Sequence, residues 1–213
     1  MNITITLAIV ILTCVISFTA FSNQRIISDL IFYPPAITQR NQWYRFITCG
    51  FIHADIGHLA FNMISFYLFG QFVEAGFLEI FGGTGKMMYL TMYVLALIVC
   101  LLPTYFKNRN NYQYRSLGAS GAVSAVVFVG IFLYPLNKIG FFIIPPVIPG
   151  FIFAPVYLIA SAYMSKKGGD NINHSAHIWG ALFGIVFLII ACHFTGSFNP
   201  VQNFISAVTS FFS

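Results

Sequence analysis

Stretch after stretch of about twenty apolar residues runs through this chain with almost no charge inside them, which is what a helix needs to cross the hydrocarbon core of a bilayer. Of 213 residues, 58% are hydrophobic and only 7% are charged, and the mean hydropathy of +0.83 lies far outside the range of soluble domains. The chain therefore reads as an integral membrane protein in contact with the lipid bilayer. Six such segments cover roughly Ile3–Phe21, His53–Ile80, Lys86–Phe106, Ser116–Tyr134, Pro149–Ser165 and Asn173–Phe194. The expected fold class is an all-α membrane protein, a bundle of six transmembrane helices. The first segment has no basic leading region, and its apolar run exceeds that of a secretory signal, so it reads as a retained span. No linker or repeat marks a second domain, and residues 1–213 are expected to form a single membrane domain.

The net charge is +5, but the ten Lys and Arg are scattered singly or in pairs. Nucleic acid is excluded as a partner on that ground, because a phosphate backbone needs clustered cations. Cys14, Cys49, Cys100 and Cys192 have neither metal-ligand nor disulfide-framework spacing and read as small core or lipid-facing residues. Gly82-Gly83-Thr84-Gly85-Lys86 superficially resembles a phosphate loop, yet Met87 stands where Ser or Thr would hold magnesium, and the helix that follows is apolar. It reads as a turn whose glycines allow positive φ. No metal and no cofactor is expected.

The long loop Ser22–Ile52 carries Trp43, Tyr44 and Phe46 around Arg45, and aromatics beside a cation suit the headgroup level, so this loop is expected to be partly embedded. Residues 195–213 form a possible interfacial tail: Val201, Ile205, Val208 and Phe212 recur at helical spacing opposite Gln202, Ser206 and Thr209. A frayed tail fits the same residues.

Polar side chains within such spans are costly and mark functional sites by default. In a six-span chain, the first, third and fifth loops lie on one side of the membrane. His58 and Asn62 lie in the first turns of the second span, and Ser120 and His177 about one turn into the fourth and sixth, each near that side. At 1.5 Å per residue, all four fall within about 6–14 Å of their helix starts and can share one depth. Ala176, Gly180 and Gly184 recur every four residues on the sixth span, while Gly118, Gly121, Ala122 and Ala125 surround Ser120 on the fourth. Small residues let two membrane helices approach closely, which a Ser on one helix requires to reach a His on the other.

A serine hydroxyl becomes a strong nucleophile when a base takes its proton, and a neutral histidine is the usual base. Ser120 and His177 supply that pair. The acidic residues are Asp29, Asp55, Glu74, Glu79 and Asp170, and only Asp170 is near His177 in sequence, so a Ser–His dyad without an essential acid is expected. His58 and Asn62, four apart on one helical face, are candidate donors to an oxyanion, with the backbone N–H groups at the start of the fourth helix near Ser120. His53 is either site-lining or interfacial.

With Gly118-Ala119-Ser120-Gly121, the His58-Leu-Ala-Phe-Asn62 segment, and Ala176-His177 followed by Gly180 and Gly184, the chain resembles the rhomboid intramembrane serine proteases. The three motifs appear in order on the second, fourth and sixth spans, and the resemblance extends over about residues 43–190. It implies a six-helix rhomboid-like bundle, Ser120 as nucleophile, His177 as general base, and an oxyanion hole including His58, Asn62 and Ser120. It also implies transmembrane proteins as substrates and no cofactor. By the same resemblance Glu74 matches a structural acid near the end of the second span, and Tyr44-Arg45 matches an aromatic–Arg pair in the embedded first loop. The family often places an aromatic four residues after the nucleophile, packed on the catalytic His. Here that position is Ser124, so other contacts must hold His177. Trp179 is bulkier than the residue expected beside the glycine stripe.

Positive-inside counting conflicts with the family. Arg25, Arg40, Arg45, Lys107, Arg109, Arg115, Lys166 and Lys167 lie in the odd loops, against Lys86 and Lys138 in the even ones, which places the site side in the cytoplasm. The resemblance implies instead a bacterial inner membrane with the site open to the exterior, and that orientation is the expectation. The fifth span, with Pro145, Pro146, Pro149 and Pro155 and followed by Gly168-Gly169, is expected to move sideways to admit a substrate helix. Two other classes fit parts of the pattern: a transporter or proton pathway, which would not require Ser120, and a non-catalytic rhomboid-like chaperone, which would need neither Ser120 nor His177.

Overall fold

The computed structural model describes residues 3–141, 144–169, 172–196 and 198–213. In chain order the helices are α1 (Ile5–Phe21), α2 (Gln24–Leu30), α3 (Pro34–Arg40), α4 (Arg45–Thr48), α5 (Ile56–Phe81), α6 (Gly85–Val99), α7 (Leu102–Asn108), α8 (Ser120–Leu133), α9 (Gly150–Lys167), α10 (His174–Thr195) and α11 (Pro200–Phe212). Two segments, Ile56–Asn108 and His174–Thr195, are long and apolar enough to cross a membrane, while Ile5–Phe21 and Ser120–Leu133 are apolar but shorter. The third expected span is broken: α6 ends at Val99, and a separate helix begins at Leu102, with Pro103 in its first turn.

One departure from an all-helical chain is an antiparallel hairpin, β1 (Lys138–Phe141) and β2 (Ile144–Pro149), between α8 and α9. Pro145 and Pro146, grouped with the fifth span in the sequence but ahead of its expected start, and Pro149 lie in β2, and the helix starts at Gly150 with Pro155 inside it. The fixed φ of proline and its effect on the preceding residue favour extended backbone over helix there.

The interior lies where α5, α6, α8 and α10 meet. Phe66, Val73 and Phe77 of α5, Tyr89, Met92 and Ala96 of α6, Ala122, Val126 and Val129 of α8, and Leu188 of α10 share one buried cluster. Helix α8 is buried nearly all round, as a helix at the centre of a bundle must be. Phe61, Ile64, Leu68 and Phe72 are exposed on α5, an apolar outer face suited to lipid.

Helices α8 and α10 make the closest pairing. A methyl group at Gly180 would overlap the Gly121 carbonyl, and one at Gly184 would lie 2.5 Å from the Ala125 carbonyl oxygen. The stripe Ala176, Gly180 and Gly184 thus faces α8, as expected. Trp179 does not interrupt it, being 46% exposed on another face. Glu74, buried in the C-terminal part of α5, accepts from the N–H groups of Ile5 and Thr6 (2.9 Å each) and from the Thr6 hydroxyl (2.8 Å). Its carboxylate satisfies two of the four N–H groups left unpaired at the start of α1, where the helix dipole favours negative charge.

Candidate active site

Ser120 is the first residue of α8, not one turn inside it, and the chain before it is anchored from three directions. Ser116 exchanges backbone hydrogen bonds with Phe32, Gly118 N–H donates to the Cys49 carbonyl (2.9 Å), and Ala119 N–H donates to His53 Nε2 (3.5 Å). Gly118 sits at φ +107, and a Cβ there would lie 2.7 Å from His58 Cε1. Glycine is therefore required both by the backbone and by the imidazole against it.

Across the α8–α10 contact, His177 Nε2 lies 2.8 Å from Ser120 Oγ. The start of α10 is fixed by Asn173, whose Oδ1 accepts from Ala176 N–H (3.1 Å), with its side chain also bonded to Thr104 of α7. On the far edge of the imidazole, Nδ1 lies 3.1 Å from the Tyr157 hydroxyl of α9. If Ser120 Oγ–H donates to Nε2, the neutral ring carries its proton on Nδ1 and donates it to the phenol oxygen. Ser120, His58, Tyr157 and His177 are all half-buried, so the cluster is sheltered but open.

His58 opens α5, where Asp55 caps the helix by accepting from His58 N–H (2.8 Å). Its Nδ1 accepts from Ala54 N–H (3.5 Å), which leaves Nε2–H as the ring donor, on the side that faces Gly118. Asn62, one turn on, donates through Nδ2 to the His58 carbonyl (3.0 Å), and none of its hydrogen bonds among the described residues is to Ser120. Helix α8 has no side-chain cap, and the N–H groups of Ser120 and Gly121 bear no hydrogen bond among the described residues. They are donors available to an anion.

His53 lies ahead of α5, fully buried, with its ring 4.9 Å from that of His58. It ties α1 to the loop before the nucleophile, through Ser17 Oγ at 3.0 Å from Nδ1 on one side and Ala119 N–H on the other. Burial pushes its pKa down to about 3; His58 adds to the effect and Asp55 opposes it. The ring is neutral, with Nδ1–H donating to Ser17, whose hydroxyl donates to the Phe51 carbonyl (2.9 Å).

Arg45 is away from this cluster. It is buried in the first loop, where it donates to the carbonyls of Ser28 (2.9 Å) and Ile31 (2.8 Å) and to Gln42 Oε1 (2.7 Å), holding the loop's irregular backbone together. Glu74 is likewise structural and remote. Asp170 lies outside the described residues. Ser17 and Tyr157 were not candidates from sequence: a Ser and a Tyr in apolar segments carry no local signal, and the only hint of a second support for His177 was the small residue at Ser124.

A family model for the rhomboid domain matches residues 40–194. The chain belongs to the rhomboid family. Its relatives include the mitochondrial RHOMBOID-like protein 12 of Arabidopsis thaliana, 32% identical over 63% of this chain and 42% of that protein. The chloroplastic Rhomboid-like protein 11 of the same plant is 30% identical over 71% of this chain and 54% of its own length, so the chain spans about half the length of these two relatives. The rhomboid protease GlpG of Haemophilus influenzae is 27% identical over 74% of each chain. This rhomboid is thus a membrane-embedded protein of a family that includes serine proteases, with relatives in bacteria and in organelles.

Proposed function

We propose that this rhomboid is an intramembrane serine endopeptidase that hydrolyses peptide bonds in or near transmembrane segments of other membrane proteins. The observation that carries the reading is the 2.8 Å approach of His177 Nε2 to Ser120 Oγ across two glycine-faced helices. In the reaction, Ser120 Oγ attacks the scissile carbonyl as its proton passes to Nε2. The carbonyl π bond opens onto oxygen, and the oxyanion is met by the N–H groups at the start of α8 and by His58 Nε2–H, with Asn62 one turn away. Collapse breaks the C–N bond, and His177 gives its proton to the departing amine. Water then attacks the acyl-enzyme, losing a proton to Nε2, and the ester C–O bond breaks with return of that proton to Ser120.

Helix lengths support chemistry below the membrane surface. The fourteen residues of α8 rise about 21 Å, short of a hydrocarbon core of about 30 Å, so a helix rooted near one face leaves Ser120 recessed from the other. We assign the spans to α1, α5, α6 with α7, α8, α9 and α10, in one domain over residues 1–213, in a bacterial inner membrane with the site open to the exterior. Substrate enters beside α9. Among the described residues that helix packs on α8, α10 and the hairpin and has no comparable packing on α5. Only Gly150 and Ser161 of α9 are buried, and Gly168 (φ +61) and Gly169 (φ +96) follow it.

The test is cleavage of a reporter transmembrane segment containing weak helix formers, co-reconstituted with the protein in liposomes. Cleavage lost in Ser120→Ala and in His177→Ala is expected. Cleavage that survives either substitution overturns the assignment.

A further inference from the structure

The proposed site needs one further component: a group that fixes the tautomer of the base. A histidine working without a carboxylate still needs its ring fixed and its Nδ1 proton accepted, or the tautomer with Nε2 free for serine is not enforced. Helix α8 does not supply it, because the position one turn after Ser120 is Ser124, a small residue 6% exposed. The space is filled from another helix. The Tyr157 ring lies nearly parallel to the imidazole (20°, centroids 6.4 Å apart), and its hydroxyl lies 3.1 Å from Nδ1. The ring also packs against Phe128 of α8 and Phe153 of α9.

Resting on the protease reading above, the geometry points to Tyr157 as the positioning residue of His177, delivered by α9 rather than by the helix that carries the nucleophile. Its oxygen accepts Nδ1–H in both charge states of the imidazole, because Nδ1 carries a proton in the neutral tautomer that leaves Nε2 free and in the imidazolium alike. Tyr157 does not touch the reacting atoms; it acts through His177. The consequence is a link between access and chemistry. Any displacement of α9 that carries Tyr157 off the imidazole also releases the base, so the reactive dyad belongs to the state with α9 docked.

The experiment measures the rate of covalent labelling by a fluorophosphonate, as a function of probe concentration, for wild type, Tyr157→Phe and Tyr157→Ala in detergent. Thermal stability is recorded alongside. Tyr157→Phe keeps the ring and the packing and removes only the acceptor. It is expected to lower the limiting labelling rate roughly tenfold, the worth of one hydrogen bond, with the half-saturating concentration and the melting midpoint unchanged. Tyr157→Ala is expected to lose more of the limiting rate. A Tyr157→Phe protein that labels at the wild-type limiting rate overturns the proposal, as does a loss confined to the half-saturating concentration, which would make Tyr157 a binding contact. If wild type itself does not label, the protease reading fails first and this assignment falls with it; labelling of wild type with no effect at Tyr157 removes this assignment alone.

Discussion

At the scale of single residues, the polar groups inside this bundle fall into two kinds. Glu74 and Arg45 are consumed by backbone: a carboxylate capping α1 and a guanidinium gathering three oxygens of the first loop. Ser120 and His177 instead meet each other at 2.8 Å, and His58 turns Nε2 toward Gly118, two residues before the serine. His53 stands between the kinds, a neutral imidazole that braces the loop before the nucleophile. Its pKa is about 3 folded against an ordinary 6.5 unfolded, so between those values the unfolded chain binds the extra proton. Stability is then fully present above pH 6.5 and lost as pH falls toward 3, by at most about 1.4 kcal/mol per unit. Thermal midpoints in detergent from pH 7 to pH 4 should fall, and His53→Gln should flatten that fall. An equal pH dependence in both proteins would contradict the assignment.

At the scale of elements, much of the site was legible. The four-residue recurrence of Ala176, Gly180 and Gly184 reports which face of α10 meets α8, because only small side chains permit that approach, and a Ser and a His embedded in those faces have to meet. Five of the expected spans correspond to one helix each, with ends displaced by a few residues. The split of the third is not legible because hydropathy does not register the break after Val99, nor is the strand that the prolines ahead of the fifth form, because a proline-rich apolar run reads alike as strand or helix on hydropathy alone. Tyr157 and Ser17 were illegible for another reason. Their partners are 20 and 36 residues away on other elements, and nothing in a single apolar segment records which way an isolated Tyr or Ser will point. The thin packing of α9 toward α5 carries its own prediction. A cross-link bridging α9 and α5 should abolish cleavage of a transmembrane substrate while leaving fluorophosphonate labelling intact, since a docked α9 keeps the base in place. Undiminished cleavage would refute entry between those helices.

At the scale of the whole molecule, a recessed α8 surrounded by longer helices is what the proposed hydrolysis at bilayer depth requires. The irregular chain before Ser120 is tolerated there because it is bonded to Phe32, Cys49 and His53 instead of facing lipid. Orientation is the point on which charge and family disagree: Lys166 and Lys167 end α9 on the site side, where positive-inside counting expects cytoplasm. A single cysteine placed at Lys167 in a protein with its native cysteines replaced should react with a membrane-impermeant thiol reagent added outside intact cells. Reaction only after the membrane is opened would put the site on the cytoplasmic side.

The claim on which the rest depends is that Ser120 is activated by His177. Purified protein in mild detergent should be labelled covalently by a fluorophosphonate probe, and both Ser120→Ala and His177→Ala should abolish that labelling while remaining folded. No labelling of wild type, under conditions in which an active serine protease in the same detergent reacts, would contradict the claim.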